Sequence, residues 1–318
     1  MTDRLPRIVF MGTPEFAATS LRVLHEAGCD IAAVVTVPDR PAGRGQKITL
    51  SPVKEYALEH RMNILQPEKL RGHRFISSLQ DLNADMFVVV AFRMLPEAVW
   101  SIPPLGTFNL HASLLPQYRG AAPINHAIIN GETRTGVTTF LIDKEIDTGK
   151  ILLSRETEIA PDENAGSLHD RLMQIGAELA LETATGLYAR RLSPVSQKSK
   201  PGEILKQAPR IFTADTVINW REPAVKVHNL VRGLSPYPGA MALLLRDDRQ
   251  LRLKILESNL RDDVMEIPGT IIVTGKNRFI ISCVSGGIEI LTLIPEGRKR
   301  MSASDFLRGF DPAGWELV

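Results

Sequence analysis

Three short runs of β-branched and apolar residues constrain the first half of this chain more than any other feature. They are Arg7-Ile-Val-Phe-Met11, residues 31–37 and Asp85-Met-Phe-Val-Val-Val-Ala91. Each run is continuous rather than alternating, so each strand must be covered on both faces, the pattern of a parallel sheet packed between helices. Helical patterns near residues 15–27, 52–60 and 121–130 separate these runs, and Phe108-Asn-Leu-His-Ala112 reads as a fourth, more polar strand. After the first strand, Gly12 leads into Thr13-Pro14-Glu15, which reads as a helix start with Thr as N-cap, Pro in the first position and an acid in the first turn. Residues 136–143 and 151–159 read as paired strands, and 167–190 as a long helix. The expected class is therefore α/β, a doubly wound, mostly parallel, Rossmann-like sheet. Its first loop has one glycine where the G-x-G-x-x-G dinucleotide pattern needs three, so a nicotinamide cofactor is poorly supported.

The pattern changes after residue 190. Leu192-Ser-Pro-Val-Ser-Gln-Lys-Ser-Lys-Pro-Gly202 has the composition of a linker. Beyond it, one helix at about 222–233 precedes short strands near 239–245, 251–257, 270–274, 278–284 and 287–294, the spacing of a small β-barrel. The expected division is a catalytic domain over 1–190, a basic linker over 191–209 and a barrel domain over 210–318. Of the 318 residues, 44% are hydrophobic and 23% charged, a globular balance, and no apolar run approaches a membrane span. The N-terminal residues lack the apolar core of a signal peptide, and Cys29 and Cys283 carry no ligand spacing. A cytoplasmic protein without a disulfide or zinc framework is expected.

The net charge of +2 hides local clusters. Arg190, Arg191, Lys198, Lys200, Lys206 and Arg210 face one nearby acid, Glu203. Arg40-Pro-Ala-Gly-Arg-Gly-Gln-Lys47 and Arg298-Lys-Arg300 are also basic. Each cluster, taken alone, reads more as a solvated surface than as a nucleic-acid site.

The densest chemistry lies in the segment that begins Phe108-Asn-Leu-His-Ala-Ser-Leu-Leu-Pro116. Side chains alternate along a strand, so Asn109 and His111 share one face at its C-terminal end, where α/β sheets carry their sites. An amide beside an imidazole can polarise a carbonyl and move a proton, although either residue alone is also explained by structural hydrogen bonding. Downstream, Asp143-Lys-Glu-Ile-Asp147-Thr-Gly149 is a turn carrying two aspartates, and Asp, Thr and Gly all favour turns for their own sake.

The combination of Asn-x-His, Ser113-Leu-Leu-Pro116 and Asp-x-x-x-Asp-Thr-Gly resembles the folate-dependent formyltransferase superfamily, and within it the members that act on methionyl-tRNA. Gly12-Thr-Pro-Glu-Phe16, Pro38-Asp-Arg-Pro-Ala-Gly-Arg-Gly45, Ser51-Pro-Val-Lys54, Tyr118-Arg-Gly-Ala-Ala-Pro-Ile124, Ser235-Pro-Tyr-Pro-Gly-Ala240 and Arg300-Met-Ser-Ala303 extend that resemblance over both expected domains. It implies a first domain that holds 10-formyltetrahydrofolate and a C-terminal barrel of OB-like topology that meets tRNA. The implied reaction moves the formyl group to the α-amine of methionine on initiator tRNA, with no metal, in a monomer. Ser113, Leu114, Leu115 and Pro116 correspond to the stretch that contacts folate, and Phe92 and Arg93 lie in the loop that lines the pterin pocket. That loop, Ala91-Phe-Arg-Met-Leu-Pro96, is one residue shorter than the family's and has Phe for Tyr and Arg for Gly, which puts the pocket's shape in question.

On this reading Asn109 and His111 hydrogen-bond the developing oxyanion, and Asp147 orients His111 and helps take the amine proton. Asp143 is the lesser candidate. Arg40, Arg44 and Lys47, in the basic loop after the second strand, would contact tRNA. Lys198, Lys200 and Lys206 of the linker, with Arg298 and Lys299, would meet phosphates without reading sequence. The alternatives are an amino-sugar nucleotide as acceptor, water as acceptor (a formyl-folate hydrolase), or a non-catalytic RNA-binding protein. The last leaves Asn109, His111 and Asp147 unexplained. A glycinamide ribonucleotide formyltransferase would not require residues 210–318.

Overall fold

The computed structural model describes residues 4–42, 47–199, 202–275 and 277–317. The chain divides into two compact units, one of Met1–Gly120, Gly136–Thr157 and Asp170–Lys206, the other of Ala121–Thr135, Glu158–His169 and Gln207–Val318.

The first unit is built on β1 (Arg7–Gly12), α1 (Glu15–Glu26), β2 (Asp30–Val35), β3 (Arg40–Ala42), β4 (Lys47–Thr49), α2 (Pro52–Glu59), β5 (Ile64–Leu65), α3 (His73–Asp81), β6 (Met86–Val90), α4 (Glu97–Trp100) and β7 (Thr107–His111). A two-residue strand β8 (Arg119–Gly120) follows; past α5 (Pro123–Ile129), which belongs to the second unit, come β9 (Arg134–Leu141), β10 (Ile151–Glu158) and the long α6 (Ala165–Tyr188), whose first residues also fall in the second unit. The main sheet runs β10-β9-β7-β6-β1-β2-β5. Neighbouring strands are parallel from β7 to β5, and β9 joins β7 antiparallel. This is the Rossmann-like sheet that the apolar runs dictate. Ile8, Val9, Phe10, Met11, Phe87 and Val88 are wholly buried, because central parallel strands have no solvent face. Helix α1 lays Ala17, Leu21 and Leu24 onto the core, three- and four-residue spacings that put them on one stripe. Gly12 permits this docking, since a Cβ there would stand 2.5 Å from that of Ala17 and 3.0 Å from the Val90 carbonyl oxygen.

Two local expectations change. Thr13 does not cap α1. Pro14 holds the N-cap position and its carbonyl accepts from the Ala17 and Ala18 amides at 2.9 and 3.0 Å, so the turn closes on backbone alone. Residues 38–50 are not a plain loop either, because β3 and β4 pair antiparallel with Arg40 opposite Thr49 and Ala42 opposite Lys47. Pro41 is tolerated there because a short edge strand can spare one donor. Arg44 and Lys200 lie outside the described residues.

The second unit contains β11 (Gln207–Ala208), α7 (Ala224–Leu234), β12 (Ala240–Arg246), β13 (Arg249–Arg261), β14 (Ile271–Thr274), β15 (Arg278–Ser282), β16 (Gly287–Pro295), β17 (Met301–Ser302), α8 (Ala303–Leu307) and β18 (Glu316–Leu317). Its sheet is antiparallel throughout, in the order β14-β15-β16-β13-β12-β18, with β17 on β16. The thirteen-residue β13 slips register between Ile255 and Glu257 and again between Glu257 and Ser258. Such bulges bend a strand, and here they curl the sheet into an OB-like half-barrel. Ile255, Phe279, Ile281, Ile288, Leu293 and Phe306 fill its interior against Val227 and Val231 of α7. Among the described residues, no helix is long and apolar enough to cross a membrane.

Candidate active site

Strand β7 fixes the site. Phe108 and Leu110 are buried on one face, and Gly176 of α6 approaches so closely that a Cβ there would stand 2.9 Å from Leu110 Cδ2. Asn109 and His111 therefore share the opposite face. In register, Asn109 lies between Val89 of β6 and Phe140 of β9. Its side chain is half-buried and has no hydrogen-bond partner among the described residues.

His111 is held differently. It is 7% exposed, and its Nε2 donates to the Tyr118 carbonyl oxygen at 2.9 Å. A carbonyl can only accept, so that contact places a proton on Nε2 and leaves Nδ1 as the nitrogen that can exchange one. Nδ1 faces Asp147 Oδ2 at 3.8 Å, within ion-pair range but longer than a direct hydrogen bond. Oδ2 of Asp147 also accepts from the Gly120 amide at 3.0 Å, so the carboxylate keeps a fixed aim. His111 and Asp147 thus stand together at the end of β7, with Asn109 two residues back on the same face of the strand.

The surrounding segments explain how. Asp147 has φ +56° and Tyr118 φ +59°, left-handed positions that non-glycine residues hold only where neighbours enforce them. Gly149 is required by packing, since a Cβ there would lie 1.6 Å from the Leu141 carbonyl oxygen. Asp143 accepts from the Glu145 amide at 3.2 Å and the Thr148 hydroxyl at 2.8 Å, which makes it a turn-forming residue. Ser113 is buried, donates to the Gln117 carbonyl at 2.7 Å, and its own carbonyl accepts from Thr138 Oγ1 at 2.7 Å. Thr138 Oγ1 accepts in turn from the Leu115 amide at 3.2 Å, so β9 braces the Ser113, Leu114, Leu115 and Pro116 segment. Leu114 lies beside Gly136, Leu115 is buried and the Leu115–Pro116 bond is cis.

In the loop after β6, the Arg93 guanidinium donates to the Pro67 carbonyl at 2.8 Å and the Glu68 carbonyl at 3.3 Å, and stands 5.2 Å over the Phe92 ring. Burial, and then the nearby charge of Arg40, lower its affinity for a proton. Most of this arginine is spent in tying its loop to the segment after β5, and its buried Nε has no hydrogen-bond partner among the described residues. Asp39, at the base of the β3–β4 hairpin, accepts from Lys54 Nζ at 2.5 Å and Gln66 Nε2 at 2.9 Å, and these bonds hold its carboxyl below the usual carboxylate range.

Of the cations singled out from sequence, Arg40, Lys198, Lys206, Arg298 and Lys299 are exposed, and Lys47 lies on β4. Among the described residues, no group of three or more His, Cys, Asp or Glu could hold a metal ion. Sequence reasoning missed the Tyr118 carbonyl, the Gly120 amide, Thr138 and Gln197. Only the Tyr-Arg-Gly stretch carried any local signal, as part of the family motif.

The formyl transferase family model matches residues 6–184, and the model of its C-terminal domain matches residues 210–311. A methionyl-tRNA formyltransferase of Bacteroides thetaiotaomicron is 47% identical over 308 residues, 96% of this chain and 95% of that protein. One from Flavobacterium johnsoniae is 46% identical over 303 residues, 95% of this chain and 96% of that protein. A sugar 3N-formyl transferase, solved in the presence of dTDP and 5-N-formyl-THF, superposes with a TM-score of 0.65 at 20% identity, covering 93% of this chain and all of that one. At that identity, the superposition speaks for the fold alone.

Proposed function

The chain belongs to the formyl transferase family, and from that premise we propose that it transfers the formyl group of 10-formyltetrahydrofolate to the α-amine of methionine on initiator tRNA. The product, N-formylmethionyl-tRNA, starts translation. The observation that carries the chemistry is the contrast at the end of β7, where an unengaged Asn109 amide stands two residues from an imidazole with Nδ1 toward Asp147. The acceptor follows from the relatives at 46–47% identity, which extend over both units, whereas the likeness to a sugar enzyme stops at fold.

The amine's lone pair attacks the formyl carbon and the carbonyl π electrons move to oxygen. The Asn109 amide donates to that oxyanion, and a protonated Nδ1 of His111 adds a second donor. Asp147 accepts the amine's proton, directly or through water, while keeping His111 aimed. The bond from carbon to N10 then breaks, N10 keeps the electron pair and takes up the proton that Asp147 received from the amine, and the carbonyl re-forms on the new amide. Phe92 and Arg93 would flank the pterin, with Ser113, Leu114, Leu115 and Pro116 along the folate.

For the tRNA, Arg40, Arg44 and Lys47 would reach the acceptor end, and Lys198, Lys200, Lys206, Arg298 and Lys299 would meet phosphates. Residues 1–190 would then carry catalysis, 191–209 the basic linker and 210–318 much of the tRNA contact, in a monomeric cytoplasmic enzyme. The deciding experiment combines purified protein, 10-formyltetrahydrofolate and Met-tRNA and scores formyl-Met-tRNA. No product, with turnover on an amino-sugar nucleotide, would overturn the acceptor.

A further inference from the structure

We propose that Gln197 is the positioning residue for the Asp147 turn, so that a linker residue far along the chain completes the catalytic geometry. The inference rests on the formyl-transfer reading of Asn109, His111 and Asp147.

Gln197 is half-buried in a stretch whose neighbours Ser196 and Lys198 are exposed. Every hydrogen-bonding group of its amide is engaged. Nε2 donates to the Asp147 carbonyl at 2.9 Å and to the Gly149 carbonyl at 2.8 Å. Oε1 accepts from Arg119 Nε at 3.2 Å and from Arg119 Nη2 at 2.6 Å. A side chain with two donors and an acceptor fits these partners; a carboxylate would set oxygen against two carbonyls.

Arg119 lies between the two residues that hold the triad. Tyr118, on one side, receives the His111 Nε2 proton donor, and Gly120, on the other, donates to the Asp147 carboxylate. Gln197 therefore closes a ring that runs from the Asp147 carbonyl through Gln197 and Arg119 to Gly120 and back to the Asp147 carboxylate. That ring constrains both ends of a residue whose φ of +56° needs outside enforcement. Two further contacts fix the register of the linker against the turn. The Ile151 amide donates to Val195 O at 2.7 Å, and the Val195 amide to Ile151 O at 2.8 Å. Gly149 also packs so closely on the Leu141 carbonyl that a Cβ there would lie 1.6 Å from its oxygen, which limits where the turn can settle. Groups that hold a reacting residue to its aim affect the chemical step rather than substrate binding.

The test uses the full-length protein with 10-formyltetrahydrofolate and Met-tRNA. Gln197→Ala and Gln197→Glu should each lower kcat by about tenfold or more, with both KM values within about threefold of the wild type, because the donor to two turn carbonyls is lost. The shape-conserving glutamate should give no rescue. Melting temperature should move by less than about 2 °C, since one half-buried hydrogen-bonding side chain is a small share of the fold. The double variant of Arg119→Ala with Gln197→Ala should lose no more than Gln197→Ala alone, because both act through one ring. Wild-type kcat in both Gln197 variants, additive losses in the double variant, or a kcat loss matched by unfolding would overturn the proposal. An active wild type with inactive Asp147→Ala and unaffected Gln197 variants would sink the positioning role alone. An inactive wild type would sink the formyl-transfer reading and this inference with it.

Discussion

Asn109→Ala should separate catalysis from stability more cleanly than any other change in the chain. The Asn109 amide has no protein partner among the described residues, so its removal orphans no donor or acceptor. The side chain is half-buried, and the strand beneath it is held by pairing to β6 and β9 and by buried Phe108 and Leu110. A substitution of that kind shifts stability by about 0.5 kcal/mol or less, which moves the melting temperature by no more than roughly 2 °C in a domain of this size. Its effect on the reaction is of another order. Loss of one preorganised oxyanion donor costs about 10²–10³ in kcat, or roughly 2.7–4 kcal/mol of transition-state stabilisation. Asn109→Asp should be worse, since it exchanges the donor for an oxygen carrying charge of the same sign as the developing oxyanion.

The assay is single-turnover transfer from saturating 10-formyltetrahydrofolate to Met-tRNA, which isolates the chemical step, beside calorimetric melting of the same preparations. The donor contributes little to the ground state, so the folate KM should stay within about threefold. A kcat loss below about tenfold would show that Asn109 does not hold the oxyanion. A fall in melting temperature above about 4 °C would show that the side chain braces the fold, contrary to its unpartnered state in the structure.

Gly149→Ala should lower the urea midpoint by an amount equivalent to about 1–3 kcal/mol and abolish transfer, because a Cβ 1.6 Å from the Leu141 oxygen must displace backbone and, with it, Asp147. Intact stability would refute that account. His228 is buried, and burial, followed by the Arg232 charge, lowers its proton affinity, with Asp162 opposing the shift and Ser258 bonding Nδ1. The folded state then binds fewer protons than the unfolded chain below about pH 6.5, so stability falls as pH drops through that point. Urea melts between pH 8 and 5 should show a smaller acid loss for His228→Gln than for the wild type; parallel curves would contradict the linkage. Burial pushes both thiols up to about 11, so Cys29 and Cys283 should resist iodoacetamide at pH 7.5 and react fully in urea, as read by mass spectrometry. Arg44→Ala should raise the Met-tRNA KM far more than the folate KM and flatten its salt dependence by roughly 0.7–0.9 in log–log slope, and an unchanged tRNA KM would remove that contact.

Much of the fold follows from the sequence because burial writes itself into periodicity. The continuous apolar runs of β1 and β6 sit at the sheet centre, and the pair read over 136–143 and 151–159 is β9 and β10 to within about two residues. The short strand β5 escaped because two half-buried residues make no pattern. The β3–β4 hairpin escaped because Gly, Pro and Arg dominate its composition. At the site, Asn109 and His111 were legible as a pair because strand alternation is local. Their supports were not. Tyr118 holds His111 through its backbone, and a carbonyl carries no side-chain signature. Gln197 reaches Asp147 across fifty residues, and no periodicity in a Pro/Ser/Lys stretch marks a glutamine as a clamp.

Legibility and sensitivity to mutation therefore divide along the same line. Asn109 gets its position from the strand itself, with Leu110 anchored against α6 at Gly176 and register set by β6 and β9, so no single distant residue governs its aim. Asp147 lies outside regular structure, at a left-handed φ, and gets its position from Gly120, Gln197 and the Gly149 contact. Distant substitutions should thus act on the reaction through Asp147 and His111 and leave the oxyanion donor intact. Their kcat losses should add to that of Asn109→Ala, as separately supported groups do, while losses from Gln197, Arg119 and Asp147 should saturate together.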